Sequence, residues 1–176
     1  LASRKHAEAI VPVVDAALEQ AGIDWPDIRA IAVTAGPGLI GALMVGISYA
    51  KSLALALGVP LVGVDHVMAH VYASFVGGSD AAPRFPFLAL IVSGGHTDLV
   101  RLSGHGESQL IGATRDDAAG EAFDKVARIL GLGYPGGPAV DRLAREGDPA
   151  AITWPSPRLS DELGRYDFSF SGLKTA

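Results

Sequence analysis

Residues 28–64 read IRAIAVTAGPGLIGALMVGISYAKSLALALGVPLVGV. The run I-R-A-I-A-V-T at 28–34 predicts a strand, and A-G-P-G-L at 35–39 a tight turn. A long apolar helix is expected from about Leu39 to Leu57. Gly58-Val59-Pro60 ends it, and residues 61–64 read as a second strand. Strand, helix and strand with short joins make a βαβ unit, so the two strands should be parallel. Open α/β sheets place ligands beyond the carboxyl ends of such strands.

The segment at that end is V-D-H-V-M-A-H-V-Y-A-S, 64–74. His66 and His70 are four residues apart in a helical pattern, so both imidazoles project from one face. Such a pair is half of a transition-metal site, or else two histidines lining a helix. Zinc proteases of the H-E-x-x-H type carry a general-base Glu after the first His. Val67 occupies that position here, so a bound metal would hold a ligand rather than drive a peptidase.

Working outward, residues 2–21 predict an amphipathic helix with Ile10, Val11, Val14, Ala17, Leu18 and Ala21 on one face, stopped by Gly22. Residues 77–86 read as a linker. The pattern then changes: an apolar strand over 87–92, a turn S-G-G-H at 93–96, and a returning strand over 97–102 form a hairpin. A third strand is expected over 107–113. A helix is predicted from about Asp117 to Leu130, with Asp116, Asp117 and Glu121 near its positive end. G-Y-P-G-G-P at 133–138 reads as a turn, 139–145 as a short helix, 147–166 as a loop and 168–173 as the start of a strand.

Composition limits the options. The chain has 176 residues, net charge −5 and no cysteine, which excludes disulfides and thiolate metal ligands. Apolar residues make up 49%, enough for a sizeable core in one or two small domains. Without a polybasic arm, any nucleic-acid contact must use a local patch or a partner protein. Residues 39–64 carry one charge, Lys51, but Gly58 and Pro60 break them into a helix and a strand, which argues against a membrane span. The chain lacks an initiator Met and stops within S-G-L-K-T-A, so a fragment of a longer protein is expected.

Two glycine-rich turns carry further chemistry. The glycines of Ser93-Gly94-Gly95-His96-Thr97 let backbone N–H groups approach a phosphate, with the Ser and Thr hydroxyls as added donors. An ordinary hairpin turn is the alternative. Gly136-Gly137 repeats the signal, and Asp124 accepts from a ribose hydroxyl, pairs with Arg128 one turn on, or is a solvated helix carboxylate.

Several segments together resemble the TsaD (Gcp, YgjD) family of tRNA N6-adenosine threonylcarbamoyltransferases. They are LASRKH at 1–6, TAGPGLIGAL at 34–43, HVMAH at 66–70 and ALIVSGGHT at 89–97. DDAAGEAFDK at 116–125, YPGGP at 134–138 and FSFSGLKT at 168–175 complete the set. The resemblance implies an α/β, two-lobed actin-like ATPase fold (ribonuclease-H-like, ASKHA), incomplete at both ends, with lobes over 1–84 and 85–176. It implies transfer of the threonylcarbamoyl group from threonylcarbamoyl-AMP to N6 of the adenosine beside the anticodon. By that resemblance His66 and His70 are metal ligands, for iron first and zinc as the alternative. Ile91, Val92, Ser93, Gly94 and Gly95 form the hairpin that contacts the adenylate (or ATP/ADP), and Asp124 and Gly137 contact the nucleotide.

The implied partners are tRNA, a TsaB-like paralogue, a TsaE-like ATPase and a TsaC-type enzyme supplying the adenylate, all cytoplasmic and away from membranes. The family's chains are about twice as long, and its acidic N-terminal strands and third metal ligand, an Asp, have no counterpart here. The polypeptide by itself is therefore expected to be inactive and to self-associate at an unpaired sheet edge. The competing readings are a related carbamoyltransferase, which the 116–125 and 168–175 motifs oppose, and a non-catalytic scaffold paralogue, which would lack the histidine pair.

Overall fold

The computed structural model describes residues 2–76, 82–154, 159 and 164–174. The expected linker over 77–86, the loop over 147–166 and the end of the FSFSGLKT motif lie partly outside the described residues. The chain divides into two compact units, 1–76 and 77–176. The division falls at the amino-terminal edge of the stretch read as a linker. The molecule is mixed α/β.

In the first unit the βαβ reading holds. Strand β1 (Ile31–Gly36) and strand β2 (Leu61–Asp65) pair in parallel, Ile31 opposite Leu61 and Thr34 opposite Val64. Helix α1 spans Ala2–Ala21 and helix α2, the crossover, Ile40–Leu57. Gly58 adopts φ 67°, the left-handed conformation that glycine takes without a Cβ penalty, and its N–H reaches the carbonyls of Ala54 and Leu55. β1 begins at Ile31 rather than Ile28, because Trp25–Asp27 form a 3-10 turn initiated by Pro26 and Ile28 caps it. At its other end β1 runs through Gly36 and shortens the expected turn.

α1 turns Ile10, Val14 and Leu18 inward over Val33 and Tyr49, around a cavity of about 290 Å³. Val11, Ala17 and Ala21, read as part of that face, are exposed. Val11 and Ala17 lie about 60° to either side of Val14, so the covered stripe is narrower than the pattern suggested, and Ala21 is the last residue of the helix. The helix continues through Pro12. α2 is long and apolar enough to cross a membrane by length and composition. Here it is the crossover between the two parallel strands of the βαβ unit.

The second unit opens with an antiparallel sheet of β3 (Phe87–Val92), β4 (Thr97–Gly104) and β5 (Glu107–Ala113), in that order. Alternation sets its two faces. Ile91, Val100 and Leu102 are buried, whereas Leu88, Leu90 and Val92 are exposed. Leu102 is fully buried, so Leu102→Ala would cost about 2–5 kcal/mol. Helix α4 (Ala119–Ile129) and helix α5 (Gly136–Ala144) pack on each other.

Two expectations fail in this unit. Residues 168–173 do not start a strand. Phe168 makes a single bridge to Thr114, and Ser171–Lys174 turn into a 3-10 helix. The chain turns there because Asp116 draws the Phe170 and Ser171 amides to itself. α5 begins at Gly136 rather than Ala139, so Gly136 and Gly137 form its first turn instead of preceding it. Pro138 is tolerated there, since first-turn N–H groups have no intrahelical acceptor to lose.

Candidate functional site

The histidine pair sits on helix α3 (His66–Tyr72), directly after β2. Asp65 caps this helix by accepting from the Met68 N–H at 2.9 Å. The cap forces the helix to start at His66, so both rings lie on its exposed face, His66 in the first turn and His70 one turn on. Their Nε2 atoms are 3.3 Å apart and the rings meet edge to face. Two nitrogens about 2.0–2.1 Å from a tetrahedral ion are separated by about 3.3 Å, so the spacing fits adjacent ligands on one metal. Without an ion, one ring donates to the other. Two imidazoles supply half of a four-coordinate shell. Among the described residues no group of three His, Cys, Asp or Glu side chains could hold an ion.

In the second unit the motifs converge on the start of α4. The turn after β3 is closed by Ser93, whose N–H donates to the His96 carbonyl and whose Oγ accepts from Gly95 and His96. Thr97 is 2% exposed, and its Oγ1 accepts from the Ala119 N–H at 2.8 Å, the first residue of α4. The Gly120 N–H donates to the Ser93 carbonyl. A Cβ on Gly120 would lie 2.6 Å from that carbonyl oxygen, so only glycine permits this approach. Ser93 Oγ thus accepts within its own turn, and the buried Thr97 Oγ1 accepts from the first residue of α4. The Gly94 N–H has no acceptor among the described residues, and a Cβ at Gly94 or Gly95 would meet open space.

Asp124 neither pairs with Arg128 nor stands clear. Its Oδ1 accepts from the Gly136 N–H at 2.7 Å and ties α5 to α4. A Cβ on Gly136 would lie 2.5 Å from the Ala127 Cβ and 2.8 Å from the Asp124 Cα. Gly137 faces open space, so the two glycines of one motif differ in role: one is a packing requirement and the other leaves room. The N-terminal amides of α5 face the same way as its positive dipole end, a setting suited to an anion.

Sequence reasoning did not single out Asp116 as more than a charge near α4. It instead holds residues 169–171. Its carboxylate accepts from the Ser169 and Ser171 hydroxyls and from the Phe170 and Ser171 N–H groups, the last two at 2.8 and 3.1 Å. Desolvation pushes this carboxyl up, but those four hydrogen bonds outweigh it and hold the group well below the usual carboxylate range. The repeated Ser in F-S-F-S was the available signal. Asp117 bonds Lys125 at 2.7 Å and Glu121 bonds it at 2.8 Å; both carboxylates raise the Lys125 ammonium above its ordinary value. Asp167 accepts from the Ala113 N–H and from Arg115, which lowers its carboxyl.

A sequence model described as TsaD: tRNA N6-adenosine threonylcarbamoyltransferase matches residues 1–176. The chain is 58% identical to the protein of that name from Symbiobacterium thermophilum, over all of this chain and 50% of the relative. It is 59% identical to the one from Moorella thermoacetica over the same shares. Among solved structures, YeaZ from Pseudomonas aeruginosa is 26% identical, with a TM-score of 0.42 over 60% of this chain and 50% of that one. The chain spans about half the length of the curated relatives it matches. With every residue inside the match, the chain belongs to the TsaD family of tRNA N6-adenosine threonylcarbamoyltransferases.

Proposed function

We propose that the intact protein transfers a threonylcarbamoyl group from threonylcarbamoyl-AMP to N6 of the adenosine beside the anticodon of tRNA. The observation that supports this above all is the family match along the whole chain. In the reaction the N6 lone pair attacks the carbamoyl carbon and a C–N bond forms. The C–O bond to the phosphate breaks, AMP leaves with its electron pair, and N6 gives up a proton.

The residues divide this work. His66 and His70 would hold one divalent ion, iron first and zinc as the alternative, and such an ion polarises a carbonyl oxygen when bound. The 3.3 Å separation of their Nε2 atoms favours that role. Residues Ile91 to Gly95 and Gly137 would bind the adenylate, or ATP/ADP, through backbone amides at the hairpin turn and at the start of α5. The open space at Gly94, Gly95 and Gly137 favours this. The Asp124 carboxylate orients the first turn of α5 and would accept from a ribose hydroxyl. A TsaB-like paralogue, a TsaE-like ATPase and a TsaC-type supplier complete the reading, in the cytoplasm. A peptidase lacks its base, because Val67 follows His66.

The test is reconstitution of the intact protein with tRNA, threonine, bicarbonate, ATP and the adenylate-forming enzyme. Mass spectrometry should find modified adenosine. Unmodified tRNA together with specific proteolysis would reverse the assignment.

A further inference from the structure

We propose that a cavity beside His66 in the first unit is the pocket for the acceptor adenine base; this rests on the transferase reading above. The cavity has a volume of about 440 Å³ and is lined by His6, Thr34, Pro37, Leu39, Leu43 and His66, among others. Small-molecule sites span roughly 300–1,000 Å³ and are mostly apolar with a few convergent polar groups.

The local sequence builds it. The first turn of α1 lies against the first turn of α2 at Gly41, where a Cβ would come within 2.3 Å of the Ser3 Oγ. His6 is three residues further along α1, one turn on, and so reaches the cavity over the T-A-G-P-G-L turn. Apolar side chains from the turn and from α2, Pro37, Leu39, Ala42 and Leu43, line it and offer apolar surface to the faces of a purine. The Thr34 hydroxyl donates and accepts, and the imidazole of His6 adds one more polar group for the ring nitrogens. His66 belongs to both the cavity and the histidine pair, so an amine held here is next to the place where the acyl carbonyl would be polarised.

Charge decides between the two groups that must meet at the metal. The threonyl arm of the donor carries a carboxylate, and no Lys or Arg lines this cavity among the described residues. A carboxylate there would meet no Lys or Arg side chain and would have to compete for the ion that the histidine pair would hold. Adenine is neutral and apolar on both faces. A base in a single-stranded loop is also the least costly kind to turn out of its stack.

The experiment uses the intact protein and an anticodon stem-loop with 2-aminopurine at the acceptor position, a flat purine whose emission reports unstacking. Binding should change the emission of wild type. His6→Ala and Thr34→Val should each weaken that response, with apparent affinity about tenfold lower for His6→Ala, while metal content stays at the wild-type level. A response unchanged in both variants, or loss of metal in His6→Ala, would overturn the proposal. The base response does not need turnover. Transfer with a response indifferent to both variants therefore sinks the pocket alone. A sensitive response without any transfer sinks the transferase reading and leaves a purine pocket.

Discussion

On α3 the His66 and His70 rings have their Nε2 atoms 3.3 Å apart on an exposed helix face, and the neighbouring Asp65 side chain is used on the backbone. Around α4 nearly every polar motif residue is used on another motif: Thr97 on Ala119, Asp124 on Gly136, Asp116 on residues 169–171. Both regions carry family motifs. In the first the two donor nitrogens converge on one point. In the second the side chains hold backbone segments in place. A motif residue can thus be used wholly on the fold around it.

The largest effect should come from the convergent pair. His66→Ala in the intact protein should lower metal affinity on the order of a hundredfold or more, since even changes behind the ligands cost 10–100-fold. Equal metal content in wild type and variant, measured by elemental analysis, would end the comparison, because the pair would then be no more than a helix surface.

Next come the two glycines of α5. Gly136→Ala forces a Cβ against the Ala127 Cβ and the Asp124 Cα. It should cost about 1–3 kcal/mol in a denaturant melt. Gly137→Ala meets open space and should stabilise the helix by about 0.5–1 kcal/mol. On the proposed reading its nucleotide affinity, measured by calorimetry, should nevertheless fall, because the new methyl fills open space that the nucleotide would use. If both variants melt alike, or if Gly137→Ala binds nucleotide as wild type does, the division of roles within this motif is wrong.

The smallest effect concerns the Asp116 latch and sharpens the second half of the comparison. Its carboxyl is held low in the folded state, so its contribution is fully present above the ordinary Asp value of about 3.9 and is lost as pH falls through the lowered one. A carboxyl resonance for Asp116 should stay in its ionised position well below pH 3.9, and Asp116→Asn should remove the acid-side loss attributable to the latch. An Asp116 that titrates near 3.9 would mean that the 169–171 segment is not held in solution.

The βαβ unit, the hairpin and the helix of the histidine pair were legible in the sequence. Each rests on local patterns: apolar periodicity, Gly58 and Pro60 as stops, and a His-x-x-x-His spacing that any α-helix turns to one face. The family was legible for the same reason, since motifs are strings. Tertiary structure alone decided how the motifs use their polar groups. That Asp116 holds Ser169 and Ser171, that Thr97 takes the first amide of α4, that Asp124 takes the Gly136 amide, and that Gly120 and Gly136 admit no Cβ are all contacts across 12 to 55 residues of chain or between packed backbones. A hydrogen-bonding group in a sequence has many possible partners, and only the packing of sheet, helix and turn brings one of them within 3 Å.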